Sequence, residues 1–405
     1  MQWLMLAWRN ILRNRRRTVL TLISLTGGYW VVVLVLSANA GSYDQVLAQY
    51  TQDRTGHVQI LAPGYLEQSR LQRTLDLSEA EVAAWAQAAG ATAWAPRIES
   101  GALAYGDTHS LPVQVLGMSA EHDLQQLARR MTEGEVRWQS HSVYPPALIG
   151  ARVAQYLNLE LGAELVLLAQ AADGSLANDL FEVVGILGAL EDDSARWVVL
   201  PLSAAQDFYA LPNQVHRWLL FADTHQRSMA LAQRLRSTQP AASEWELYPW
   251  QVIESEFYEM MQADQQGGNI TSLIVIFLVC IGVLNTILMS VFERMGEFGV
   301  LKAIGTSDRR LFLLVMSEAA LLAMIAILLG IVLALPANLW LTLVGIPMPE
   351  PIAVSGLVFS HFQGRMSWAV FFWPAVLIAV MTLLVALYPA WRVVRWSPLT
   401  AMRRL

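Results

Sequence analysis

The stretch FERMGEFGVLKAIGTSDR, residues 292–309, is charged, punctuated by glycines and set between two apolar runs, 270–291 and 311–335. Each run is long enough to cross a hydrocarbon core of about 30 Å as a helix. The stretch between them is therefore a short loop that a membrane exposes on one side only. Two further uncharged apolar runs, 19–38 and 368–391, satisfy the same length. One span thus precedes, and three follow, a mixed-composition stretch at 39–268 that is long enough to bury its own core.

Arginine and lysine near span ends are held on the cytoplasmic side. Arg9, Arg13, Arg15, Arg16 and Arg17 precede the first span, Arg294, Lys302, Arg309 and Arg310 lie in the loop, and Arg392, Arg395, Arg403 and Arg404 follow the last. Against them stand Glu293, Glu297 and Asp308, so this face nets +10. Residues 39–268 hold 13 arginines and 28 acids, a net of −15, and the same rule leaves them outside. The formal charge of −6 conceals this polarity. The expected fold is an α-helical membrane protein with four transmembrane helices, N-in and C-in, and a large α+β extracytoplasmic domain between helices 1 and 2.

The boundaries follow. Residues 1–17 repeat Trp3, Leu4, Ala7, Trp8, Ile11 and Leu12 at helical spacing, with Arg9, Asn10, Arg13 and Asn14 facing away. This predicts a cytoplasmic interfacial amphipathic helix. Span one covers 18–38, the external domain 39–268, span two 269–292, the cytoplasmic loop 293–310, span three 311–335, an external loop 336–367, span four 368–391 and a cytoplasmic tail 392–405. The competing signal-peptide reading of the N-terminus needs a shorter apolar run than this one.

Within the external domain, β-branched and aromatic alternation predicts short strands at 57–61, 102–105, 113–116, 164–169, 181–186, 197–200 and 218–221. Ser78 with Glu81 is a capping box opening a helix to about Ala89. Helices are also expected at 119–130, 151–157, 203–209 and 224–236. Asp173-Gly174 marks a hairpin turn. The middle is richer in strands than the ends. This gives a mixed part at 39–100 and 205–266 and a β-rich insert at about 101–204.

Little catalytic chemistry can be read from these residues. A nucleotide-binding P-loop needs Gly-Lys-Ser/Thr, yet Lys302 is the only lysine and Ala303 follows it. The histidines are scattered without metal-ligand spacing, and the acidic run 191–193 lacks the alternating ligands of a calcium loop. The single cysteine, Cys280, lies in span two. Glu318 is the only ionisable residue in any span. It is read as reaching the interface or capping nearby backbone. A non-catalytic membrane subunit without its own cofactor or metal is expected.

Three segments carry a family resemblance. MLAWRNILRNRRRTVLTLISL from Met5, FERMGEFGVLKAIGTSDRRLFLLVMSEAALLAMIAILLGI from Phe292 and YPAWRVVRWSPLTAMRRL from Tyr388 are similar to permease subunits of the MacB, FtsX and LolC/LolE group of ABC transporters. The resemblance runs through the whole chain in order. It implies a bacterial inner-membrane location with the large domain in the periplasm, and a second permease copy or paralogue at its side. It also implies ABC ATPase subunits beneath, in which ATP and Mg are held, with no nucleic acid involved. Membrane lipid is the remaining partner, with a periplasmic lipoprotein carrier or adaptor as a further one.

By the same resemblance the central loop is a coupling helix for the ATPase. Glu293, Arg294, Glu297, Phe298, Val300, Leu301, Lys302 and Ile304 fit a short amphipathic helix stopped by Gly305. Phe298 and Leu301 are its expected apolar anchors, Arg294 and Lys302 its charged partners. A rigid stalk helix rising from Trp250 through span two would carry motion outward, with Gly267-Gly268 as its weak point or hinge. TGHVQILAPGYLE from Thr55 and FEVVGIL from Phe181 resemble the lipoprotein-release branch most. Efflux with an adaptor, as in MacB, and activation of a cell-wall hydrolase, as in FtsX, are the alternatives. A MacB-type chain carries its own N-terminal ATPase domain, and no such domain is read here.

Overall fold

The computed structural model describes residues 15–106, 109–138, 142–190, 193–239, 243–354 and 357–395. The amphipathic helix expected at 1–17 lies outside the described residues up to position 14. In chain order the first elements are α1 (Arg15–Tyr50), a π-helical turn (Thr51–Thr55), β1 (Val58–Leu61), α2 (Glu79–Ala89), β2 (Ala93–Tyr105), β3 (Ser110–Met118), α3 (Ala120–Arg130), β4 (Met131–Gly134) and β5 (Pro146–Gly150). Next come α4 (Ala151–Leu157), β6 (Glu164–Gln170), β7 (Leu176–Leu187), a 3₁₀ turn (Asp193–Arg196), β8 (Trp197–Pro201), α5 (Leu202–Phe208), β9 (Arg217–Phe221) and α6 (Ser228–Ser237). The last are β10 (Glu246–Pro249), α7 (Trp250–Ile253), α8 (Ser255–Glu293), α9 (Met295–Ala303), α10 (Asp308–Leu343), β11 (Ile346–Val354), β12 (Leu357–Phe362) and α11 (Trp368–Arg395). Two compact units result. One holds the described residues up to Asp44, Met260–Met348 and those from His361 on; the other holds Gln45–Glu259 and Pro349–Ser360.

Among the described residues four helices are long and apolar enough to cross a membrane, and they correspond to the four runs read from sequence. In the helical unit Leu25, Tyr29, Val283, Ile287, Leu314, Ala326, Ile378 and Ala386 form one buried cluster. Lipid supplies no hydrophobic drive between helices, so close packing and interhelical hydrogen bonds must hold them. Small residues allow the approach. A Cβ at Gly28 would sit 2.5 Å from Val279 Cγ2, and one at Gly330 would overlap the ring of Tyr29. Thr26 Oγ1 donates to the Ala326 carbonyl at 3.2 Å, Tyr29 OH donates to the Phe371 carbonyl at 3.0 Å, and Ser37 Oγ donates to Asn338 Oδ1. These polar groups are used between helices.

The second unit is built on one ten-stranded sheet. Its middle closes on itself, since β2 pairs β3, β3 pairs β8, β8 pairs β5, β5 pairs β7, β7 pairs β6, and β6 returns to β2. The ring encloses Ile98, Val115, Ile149, Leu165, Leu167, Phe181, Val183 and Val198. Closure removes the exposed edges that an open sheet would leave. Beyond the ring, β10, β1 and β9 extend the sheet from β2, with a second core including Ile60, Val82, Ala86, Leu220, Leu231 and Leu235. β2 serves both parts. Its Ala93–Arg97 end pairs with β9 and its Arg97–Tyr105 end with β3.

Several local signals hold as read. Ser78 and Glu81 exchange both capping-box hydrogen bonds, and α2 ends on Gly90 at φ +89°. Gly174 turns the β6–β7 hairpin at φ +86°. The sequence reading caught only residues 102–105 of β2 and missed β4, β5, β10, β11 and β12. β5 is buried at every position. A short, uniformly apolar run carries no period by which a strand could be recognised.

Two histidines in this unit are held neutral by burial. His57 Nδ1 accepts the Ala222 N–H at 3.2 Å, and His216 Nδ1 accepts the Glu99 N–H at 3.0 Å while its Nε2 donates to the Leu71 carbonyl at 3.0 Å. A proton on Nδ1 would oppose those N–H groups. Burial, with the charge of His225, lowers the His57 pKa from 6.5 to about 4, and burial lowers that of His216. Below pH 6.5 the unfolded chain takes up protons that the folded chain refuses. The stabilisation is therefore complete above that pH and is lost as pH falls toward 4, by at most about 3 kcal/mol for His57. Thermal unfolding of the purified protein at pH 7.5 and pH 5 should show a lower Tm at pH 5, with the difference reduced in His57→Gln.

Candidate coupling segment

The loop that decided the sequence reading folds as a small, tightly stopped helix. α8 ends at Glu293, and Arg294 at φ −98°, ψ 12° leaves the helical path for one residue before α9 begins. At the other end the Gly305 N–H reaches the Lys302 carbonyl at 3.0 Å and the Thr306 N–H reaches the Leu301 carbonyl at 2.9 Å. Gly305 sits at φ +94°. This is the paired hydrogen-bond pattern of a Schellman stop, which requires the left-handed conformation that glycine adopts without a Cβ penalty. α10 starts three residues later, after Ser307.

Charge fixes this knuckle to the bundle. Arg294 is 8% exposed. Its Nη1 lies 3.0 Å from Glu318 Oε2, its Nε 3.0 Å from Glu297 Oε2, and its guanidinium stacks over the Phe298 ring at 5.4 Å. Glu318 therefore faces a fixed cation, a partner that was not named from the sequence. Lys302 turns inward as well. Its Nζ lies 2.7 Å from Asp308 Oδ1 and donates to the Val394 carbonyl near the end of α11. The last carbonyls of a helix lack intrahelical partners and carry partial negative charge, so a lysine there is favourable.

The side chains of α9 are exposed in a different pattern from the one expected. Phe298, read as an outward anchor, is 3% exposed and shares the buried cluster of Leu311, Leu314 and Val393. Leu301 and Glu297 are half-buried, while Glu293 and Gly305 are exposed. The outward apolar residues are Val300 at 48% and Ile304 at 74%, followed in sequence by exposed Arg309 and Arg310. A helix this short has only one face to present. With Arg294, Phe298 and Lys302 turned inward, Val300 and Ile304 face out.

The stalk is also different. α7 stops at Ile253, and Glu254 at φ −109°, ψ 51° separates it from α8, so no single helix rises from Trp250. Trp250 is buried, donates its backbone N–H to the His57 carbonyl at 3.1 Å and meets Tyr258 edge to face. Gly267 and Gly268 lie within α8, whose helical path continues through both. Their carbonyls accept hydrogen bonds from Thr271 Oγ1 and Ser272 Oγ, and Gly268 faces the Asn39 amide, where a Cβ would come within 2.9 Å. Among the described residues no group of three His, Cys, Asp or Glu side chains is placed to hold a metal.

Residues 269–398, which contain this knuckle and three spanning helices, match the FtsX-like permease C-terminal family, and residues 18–238 match the MacB-like periplasmic core domain. The chain belongs to the MacB/FtsX/LolC–LolE group of ABC-transporter permeases. It is 26% identical over 401 residues to the pyoverdine export ATP-binding/permease protein PvdT of Pseudomonas putida, covering 89% of this chain and 57% of that one. It is 23% identical over 277 residues to the lipoprotein-releasing system transmembrane protein LolE of Haemophilus influenzae, covering 65% of this chain and 66% of that one. The chain spans little more than half the length of the PvdT proteins it matches. The periplasmic region of MacB from Actinobacillus actinomycetemcomitans superposes with a TM-score of 0.36 at 12% identity, over 51% of this chain and 94% of that structure. In this ABC permease the FtsX-like match begins within α8 and takes in α9, α10 and α11, and the MacB-like match takes in most of α1 and the sheet from β1 through α6.

Proposed function

We propose that this permease is the membrane subunit of an ATP-driven transporter of the bacterial inner membrane, N-in and C-in, with its sheet domain in the periplasm. ATP and Mg are held by ATPase subunits on a partner chain, which dock on α9 from the cytoplasm. A second permease copy or a paralogue completes the assembly. The observation that carries this reading is the α9 knuckle, a helix stopped at both ends and pinned by Arg294 and Lys302 that exposes Val300 and Ile304. A pinned helix passes a displacement on to the bundle, and an exposed isoleucine offers a partner groove an apolar anchor.

Substrate handling is assigned to the periplasmic side. Release of lipoproteins from the inner membrane is the first reading, in keeping with the LolE relative. Export with an adaptor is the second, favoured by the alignment with pyoverdine exporters over 89% of this chain. Topology is tested in a Cys280→Ser background with a membrane-impermeant maleimide added to cells whose outer membrane has been permeabilised. Leu176→Cys should label and Arg309→Cys should not. The reverse pattern would overturn the proposal.

A further inference from the structure

We infer that Arg130 is the positioning residue that makes the closed strand ring follow the upper end of the first spanning helix, an inference that rests on the proposed transmission of motion through this permease. α1 does not end by unravelling. It continues into the π-helical turn Thr51–Thr55, which carries Asp53 and Arg54, and such turns concentrate at functional positions. From there the chain has two routes into the sheet. The covalent route passes Gly56 at φ +66° into β1, which pairs with β9 and β10 on the open side of the sheet. The second route is ionic and leads to the ring.

Arg130, the last residue of α3, lies at the centre of that route. Its Nη1 is 3.1 Å from Asp193 Oδ1, its Nη2 is 3.7 Å from Asp53 Oδ2, and its guanidinium lies over the Trp197 indole at 5.1 Å. Arg54 Nη1 reaches the other oxygen of Asp193 at 3.5 Å. The Arg130 carbonyl accepts the Gly188 N–H at 2.7 Å just beyond β7. Asp193 itself has little freedom, because the turn it opens packs so tightly on Gly150 that a Cβ there would overlap Ser194 and Ala195. Thus one guanidinium joins the end of α1 to β8 through Trp197 and Asp193, and its backbone joins the end of β7. Arg130, Asp53 and Asp193 are largely withdrawn from water, where charge-assisted contacts are strong and little screened. A planar, always-charged guanidinium can bond two carboxylates and stack on an indole at once, which lysine cannot do.

The test uses the full-length protein with Cys280→Ser and spin labels at Ala48→Cys, near the end of α1, and Tyr156→Cys, on α4 of the ring. Without nucleotide, the parent should give one narrow distance distribution, and Arg130→Gln and Asp193→Asn should each broaden it at least twofold. A control pair within the ring, Tyr156→Cys with Leu176→Cys, should stay narrow in every variant. Parent-like width in both variants with a narrow control overturns the inference. If the control broadens in Arg130→Gln, Asp193→Asn decides by the same criterion. The widths are read without ATP, so failure of any ATPase to co-purify would defeat the proposed function while leaving this result standing.

Discussion

Arg294→Gln should destabilise the protein by about 3 kcal/mol or more, read as a large drop in Tm of the detergent-solubilised chain. The substitution leaves Glu318 without its guanidinium partner, and removing one member of a buried ion pair costs roughly 3–5 kcal/mol because the other charge stays uncompensated. Arg294 also stacks on Phe298 and holds Glu297, so part of the loss is packing. The discriminating measurement is a double-mutant cycle. Arg294→Gln with Glu318→Gln should recover at least about 1 kcal/mol of the sum of the single losses, as expected for residues in direct contact. Additive losses would mean that the pair at 3.0 Å contributes nothing specific.

Ile304→Glu should abolish association with the proposed partner ATPase while leaving the bundle folded. Ile304 is 74% exposed and follows the last helical residue of α9, so a carboxylate there disturbs no core. Central apolar anchors of an interface typically contribute about 2–4 kcal/mol, which corresponds to at least a 30-fold loss of co-purified ATPase. Val300→Glu should act in the same direction. Phe298→Ala is the contrasting case, because that ring is buried and its removal leaves a cavity costing about 3–5 kcal/mol of stability. It should lower Tm first and docking only as a consequence. Full co-purification with Ile304→Glu would remove α9 as the docking element.

Much of the molecule is legible because membranes impose simple rules. A run of some twenty apolar residues must be helical where no water can satisfy the backbone. The capping box at Ser78, the turn at Gly174 and the stop at Gly305 were equally readable, since each depends on neighbours within a few residues. The strand β5 was not readable, because its five buried residues alternate with nothing. The inward turn of Arg294 and Lys302 was also hidden. Both look like solvent-facing charges on a short loop, and their partners Glu318 and Val394 lie 24 and 92 positions away.

From sequence alone came the four runs that, among the described residues, form helices long and apolar enough to span a membrane, the mixed strand-and-helix stretch between the first and second of them, and the short helix with its glycine stop. Those properties depend on composition and on contacts a few residues apart. Only the tertiary structure decided that the sheet closes through β2, that the helix from Trp250 breaks at Glu254, and that Ile304 rather than Phe298 faces outward. Each of these depends on which distant groups meet. A charge or a ring has no direction until its partner is in place.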